Sequence, residues 1–192
     1  TADQIIGRSL FVCREFEYEW ACAALHWLRA EGRLPPQGAG TILDIGAGYG
    51  RLAYRAVTAF PESVRYLCTD AIATSTFLCE YYLGFRGVAG HESSPARVLP
   101  LDELESAVPP GTVDVAVNIH SFSECAPGAI DAWLAFLARK RVGHLMIVPN
   151  AVTFDGSAGS AGPDSSDGVT MRTNEGLDFT RIVRRHGYTL EV

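Results

Sequence analysis

The 192-residue chain contains a single lysine, Lys140, so its 16 basic residues are otherwise arginines, and they are scattered. No basic stripe with interleaved aromatics occurs, and the formal net charge is −6. Binding a phosphate backbone needs clustered cations, so no nucleic-acid partner is expected. No apolar run approaches the length of a membrane span, and no signal peptide stands at the start. No membrane partner is expected, and a cytoplasmic location follows by default. Cysteines are few and odd in number: Cys13, Cys22, Cys68, Cys79 and Cys125, with no C-x-x-C pair. That gives no sign of a disulfide framework or a zinc site. The first four lie in apolar stretches and read as small buried hydrophobes. Cys125 has no activating histidine pattern. There is no internal repeat and no second domain.

What is present fits one soluble domain over 1–192: 47% of residues are hydrophobic and 20% charged. Residues 10–30 read as a helix, because Phe16, Trp20, Ala23, Ala24, Trp27 and Leu28 recur at helical spacing. Pro35 and Pro36 close this N-terminal helical segment, 1–36. Strands are expected at 41–45, 64–69, near 97–99, at 113–119 and at 144–149. Helices are expected at 51–60, 73–83, weakly at 101–107, at 128–141 and at 176–186. Residues 155–168, rich in Gly, Ser and Asp, read as a mobile surface loop. Residues 188–192 start a sixth strand. Strands alternating with helices imply a doubly wound, mostly parallel sheet covered on both faces. The sequence begins with Thr and ends inside an expected strand, so it reads as trimmed, with a final strand missing.

The sharpest motif is Asp44-Ile45-Gly46-Ala47-Gly48-Tyr49-Gly50, between a strand and a helix. Glycines there let a ligand approach the backbone at the carboxyl ends of the strands. A dinucleotide fingerprint would read G-x-G-x-x-G, with a pyrophosphate on the helix N-terminus. Here the spacing is G-x-G-x-G, and Arg51 stands where that third glycine would be. Asp44 at the strand tip repels a pyrophosphate but can hold a cationic amino group. S-adenosylmethionine carries an ammonium, a sulfonium and no phosphate, so the pattern favours it over NAD. Asp70, at the tip of the second strand, is placed to accept from both ribose hydroxyls. Ala47, Tyr49 and Ala71 complete the expected cofactor contacts.

The segment Asn118-Ile119-His120-Ser121-Phe122-Ser123-Glu124 follows the fourth strand and should face the reactive end of the cofactor. Asn118 and the Ile119 backbone are expected at its methionine portion. His120 is the best general base in the chain, since a hydroxyl nucleophile must lose a proton as it attacks a methyl group. Glu124 is expected to orient His120 or to bind substrate hydroxyls. His26 and His91 read as structural or loop residues. His144 begins the fifth strand, at the wrong edge for catalysis, and His186 ends a helix, where its charge suits the dipole. Asn150, at the tip of the fifth strand, is a further substrate contact. Paired strand-tip acids are lacking, so no metal is expected.

The stretches LDIGAGYGRLAY, NIHSFSEC and HLMIVPNA, with EFEYEWA near the start and GLDFTRIVRRHGY near the end, resemble the sugar O-methyltransferases of bacterial glycan and natural-product clusters. The resemblance runs in order along nearly the whole chain. It implies the Rossmann-like α/β fold of class I S-adenosylmethionine-dependent methyltransferases, seven-stranded when complete. It also implies methyl transfer to a hydroxyl of a sugar or glycosylated natural product. Cofactor roles then fall on Asp44, Gly46, Gly48, Gly50 and Asp70. A non-sugar small-molecule acceptor and a non-catalytic cofactor-binding module are the alternatives. The oligomeric state is not legible.

Overall fold

The computed structural model describes residues 29–32, 40–154 and 169–189. The expected N-terminal helix over 10–30 and the loop at 155–168 lie outside them, except that Arg29 and Ala30 are helical. Five strands form one parallel sheet: β1 (Gly40–Ile45), β2 (Val64–Thr69), β3 (Ala96–Val98), β4 (Val115–Ile119) and β5 (His144–Val148). Their order is β3-β2-β1-β4-β5. The chain winds outward from β1 to β3, then crosses to β4 on the other side of β1. The switch point therefore lies between β1 and β4, where open α/β sheets bind ligands at the carboxyl ends of their strands.

Alternation along the central strands builds two cores, one on each face. Ile42, Tyr66, Cys68, Val115 and Val117 pack under α1 (Arg51–Ala59) and α2 (Ala73–Phe85), which contribute Leu52, Ala56, Cys79 and Leu83. The neighbouring residues Leu43, Ile45 and Ala116 point the other way. They meet α4 (Pro127–Arg139) and α5 (Thr180–Arg185) through Ile130, Leu134, Leu137 and Val183. The short α3 (Leu104–Ala107) joins the second layer through Leu104. Lys140, the lone lysine, caps α4 from a buried position and donates to the Glu105 carbonyl oxygen at 2.6 Å.

Several boundaries differ from expectation. The helix expected at 101–107 keeps only its last turn, because Pro100–Glu103 form a turn in which the Glu103 N–H donates to Pro100 O. The helix expected from 176 begins at Thr180. Before it, Gly176 takes a left-handed φ of 82° and Arg172 bridges to Asp178. Two strands were not anticipated: β6 (Ala151–Phe154) and β7 (Val169–Arg172) form an antiparallel hairpin in a second sheet. Tyr188 and Thr189 are in no strand, and the Tyr188 hydroxyl donates to Val142 O at 2.8 Å. Residues 190–192 lie outside the described residues. No described helix is long and apolar enough to cross a membrane.

Candidate functional site

The turn after β1 is built from backbone first. The N–H groups of Gly46 and Ala47 both donate to Thr69 O, at 2.9 and 3.1 Å, so the ends of β1 and β2 are pinned together. Gly46 and Gly50 hold φ of 77° and 83°, a region that disfavours side chains. Space forbids a side chain at both. A Cβ on Gly46 would lie 2.2 Å from Ser121 Oγ, and one on Gly50 would lie 2.8 Å from Cys79 Sγ. The first glycine thus admits the tip of β4, and the third lets α1 start against α2. Gly48 differs: a Cβ there would meet open space. The side of the turn left uncovered is therefore at Gly48. Tyr49 packs edge-on against Tyr82 of α2, with ring centroids 5.4 Å apart.

Two carboxylates flank this turn. Asp44, near the end of β1, is buried at 4% exposure, and the Tyr66 hydroxyl donates to its Oδ2 at 3.1 Å. Burial pushes its pKa up from 3.8 to about 7; the Tyr66 hydrogen bond opposes that shift and nearby Asp70 adds to it. Asp70 follows β2. Its Oδ2 accepts from the Gly48 N–H at 3.1 Å and its Oδ1 from the Ile72 N–H at 2.9 Å. A carboxylate oxygen can accept twice, so acceptor capacity remains on both. Asp70 and Ala71 line a cavity of about 520 Å³ with Thr76, Phe77, Leu101 and Asp102. Phe77, Leu101 and Asp102 carry no local sequence signal. They belong to the site only because α2 and the segment after β3 converge there.

The tip of β4 abuts the glycine turn through Ser121, whose hydroxyl donates to Ile45 O at 3.2 Å. Asn118 is wholly buried and its side chain is engaged within the protein. Its amide donates to Ile45 O at 2.8 Å and to the Ser121 hydroxyl, and its Oδ1 accepts from the Phe122 N–H at 3.0 Å. It locks the tip of β4 to β1. Ile119 pairs with Val148 in β5.

His120 adopts φ 68° and ψ −34°, which few non-glycine residues take, and its N–H donates to Val148 O at 2.7 Å. Its Nδ1 is hydrogen-bonded to Asn150 Oδ1. Asn150 in turn donates its side-chain amide to Asn174 Oδ1 at 3.0 Å and its backbone N–H to Ser123 Oγ at 2.9 Å. With the Asn150 amide nitrogen on Asn174, its oxygen faces the imidazole, an arrangement that suits the tautomer with its proton on Nδ1. Asn150 is thus a hydrogen-bond partner of the His120 ring. Glu124, expected in that role, is exposed at the far end of a short 3₁₀ turn, Ser121–Glu124. Burial and the charge of Glu124 push the Cys125 thiol up, away from thiolate chemistry. His144 begins the edge strand β5, and His186 sits 2.6 Å from Asp131 through Nε2.

No family model matches this chain, and no curated protein does. Solved structures do. The cyclase SpnF matches at TM-score 0.55 and 19% identity, over 85% of this chain and 56% of that one. The methyltransferase domain of bacterial CtHen1 matches at TM-score 0.54 and 12% identity, over 68% and 63%. A SAM-dependent methyltransferase from Aquifex aeolicus matches at TM-score 0.53 and 19% identity, over 81% and 76%. Two further structures are matched over only 42% and 29% of their own length. At such identities the likeness speaks for the fold, and the parallel sheet with helices on both faces is the Rossmann-like α/β fold of the class I methyltransferases.

Proposed function

We propose that this chain binds S-adenosylmethionine and transfers its methyl group to a hydroxyl of a small-molecule acceptor, a sugar or glycosylated natural product. The observation that carries the reading is Asp70, which accepts from the N–H of the open Gly48 turn and lines the 520 Å³ cavity, with the buried Asp44 close enough to feel its charge. A cation is the ligand that Asp44 fits. Buried and short of donors, it holds its proton to about pH 7, and an ammonium group would let it ionise at neutrality. Asp70 offers two oxygens to a ribose diol, and the Gly48 N–H orients one of them. The apolar side chains of Phe77 and Leu101 suit a purine face. When bound, the cofactor would supply an electrophilic methyl group from its sulfonium.

The protein's own tasks are then positioning and proton removal. His120 is the group that takes the acceptor's hydroxyl proton, its ring held through Nδ1 by Asn150. The sugar class of the acceptor rests on the sequence resemblance. The matched structures include a cyclase, so the fold itself leaves the acceptor open.

Calorimetric titration with S-adenosylhomocysteine tests the cofactor assignment. Wild type should bind, and Asp70→Ala should bind about tenfold or more weakly, a loss of ~1.4 kcal/mol or above. Binding of NADH in place of S-adenosylhomocysteine would sink the reading.

A further inference from the structure

Ser123 lies on the 3₁₀ turn after β4 and is buried, at 1% exposure. Its polar groups meet three different segments of the chain. The N–H donates to His120 O at 2.9 Å, and the carbonyl oxygen accepts from the Asn174 N–H at 2.6 Å. The hydroxyl accepts from the Asn150 N–H at 2.9 Å. A buried hydroxyl is costly without a partner, and alanine would fill nearly the same space without that cost. The hydroxyl here answers a specific need. Strand β5 ends at Val148 and β6 begins at Ala151, so the Asn150 N–H falls between strands and has no ladder partner. Asn174 follows β7 and is in the same situation. The base of the β6–β7 hairpin therefore closes on this one serine. The side chains of the two asparagines bond each other across that base, at 3.0 Å.

Both arms of the arrangement reach His120. A φ of 68° with ψ −34° persists at a histidine only where the surroundings fix it. Val148 O takes the His120 N–H, and the Ser123 N–H takes the His120 carbonyl oxygen. The imidazole meets the Asn150 oxygen through Nδ1. We propose that Ser123 is the positioning residue of His120. It holds the backbone by one hydrogen bond, and the ring through the asparagine that a second one anchors. Its bearing on catalysis rests on His120 being the base of the methyl transfer proposed above; the placing of the ring does not.

The test uses two nuclear magnetic resonance readouts that need neither cofactor nor acceptor: the exchange rate of the Asn150 amide and the tautomer of the neutral His120 ring. Ser123→Ala deletes only the hydroxyl and leaves the backbone bonds to His120 and Asn174. Val142→Ala, a truncation in the core on the α4 side, controls for lost stability. In Ser123→Ala the Asn150 amide should exchange about tenfold or more faster, relative to the amides of β1. The ring should move from Nδ1–H toward Nε2–H. Val142→Ala should change neither relative to wild type. An Asn150 amide that keeps its relative rate in Ser123→Ala overturns the proposal. So does a ring whose tautomer is unmoved, or one already on Nε2–H in wild type. A ring that moves as far in Val142→Ala follows global stability, which overturns it equally. Failure of the methyl-transfer reading, seen as NADH binding in place of S-adenosylhomocysteine, would leave both readouts where they are.

Discussion

The phenol of Tyr66 on β2 donates to Asp44 Oδ2 on β1 at 3.1 Å, and both side chains are buried. It is a protein-supplied partner for a carboxylate that the fold has removed from water. One neutral donor does not offset that desolvation, so the acid is held near neutrality in its pKa. The sheet thus presents, next to the glycine turn, a group that gains most by meeting a cation.

That imbalance has a pH signature in the folding of the chain itself. Unfolded, Asp44 releases its proton near its ordinary 3.8, and folded, it does so near 7. Between these values the native state binds more protons than the unfolded one, so stability falls as pH rises. The stability present below pH 4 is lost progressively up to about pH 7, by an order-of-magnitude figure of 4 kcal/mol. Asp44→Asn removes the titration. The variant should melt higher than wild type at pH 8, with the gap closing toward pH 4, while its affinity for S-adenosylhomocysteine drops. Thermal melts of both proteins across this range check it; parallel profiles would show that Asp44 is not the group responsible.

The three glycines of the turn should separate in their effects, although their sequence context looks alike. Gly46→Ala forces a methyl group into Ser121, on top of a positive φ, and should destabilise the fold by roughly 2–4 kcal/mol. Adding Ser121→Gly should recover part of that loss and leave the backbone strain. Gly48→Ala meets open space at φ 57° and should cost only about 1–2 kcal/mol. Its side chain would protrude where the ligand is proposed to lie, so its cofactor affinity should fall as far as that of Asp70→Ala. Chemical denaturation and calorimetry on the same preparations distinguish the two positions.

The split between what the sequence announces and what it hides follows the range of the interactions. Strand β2 is found at its expected 64–69, and β1, α1, β4, α4 and β5 within two residues at each end, because buried apolar runs and Gly/Pro boundaries are local signals. Asp44, the glycines, Asp70 and the tip of β4 converge because the strand order places them at one switch point. The hairpin of β6 and β7 stayed hidden: each strand has four residues, and 14 intervene between them. Asn174 was missed for the same reason, since it follows β7 and reaches Asn150 only through the tertiary fold. Tyr66 read as one more apolar position in a strand, and nothing in its neighbours along the chain betrays its hydroxyl's contact with Asp44.

The Asn150 contact makes the state of His120 measurable without an acceptor. An isolated neutral imidazole favours the proton on Nε2, and an Asn150 oxygen at Nδ1 would draw it there instead. In ¹⁵N-edited spectra of the neutral ring, wild type should show the Nδ1-protonated tautomer, and Asn150→Ala should revert to Nε2–H. Methyl transfer, once an acceptor is found, should fall about 10- to 100-fold in Asn150→Ala, with S-adenosylhomocysteine affinity nearly unchanged. His120→Ala should lose more, about 10²- to 10⁴-fold. Asn174→Ala removes the amide's anchor and frees Asn150 to turn, so it should give a mixture of tautomers and an intermediate rate. If the tautomer shifts and the rate does not, Asn150 orients the ring but His120 is not the base. If neither moves, the hydrogen bond from His120 to Asn150 does not govern the ring in solution.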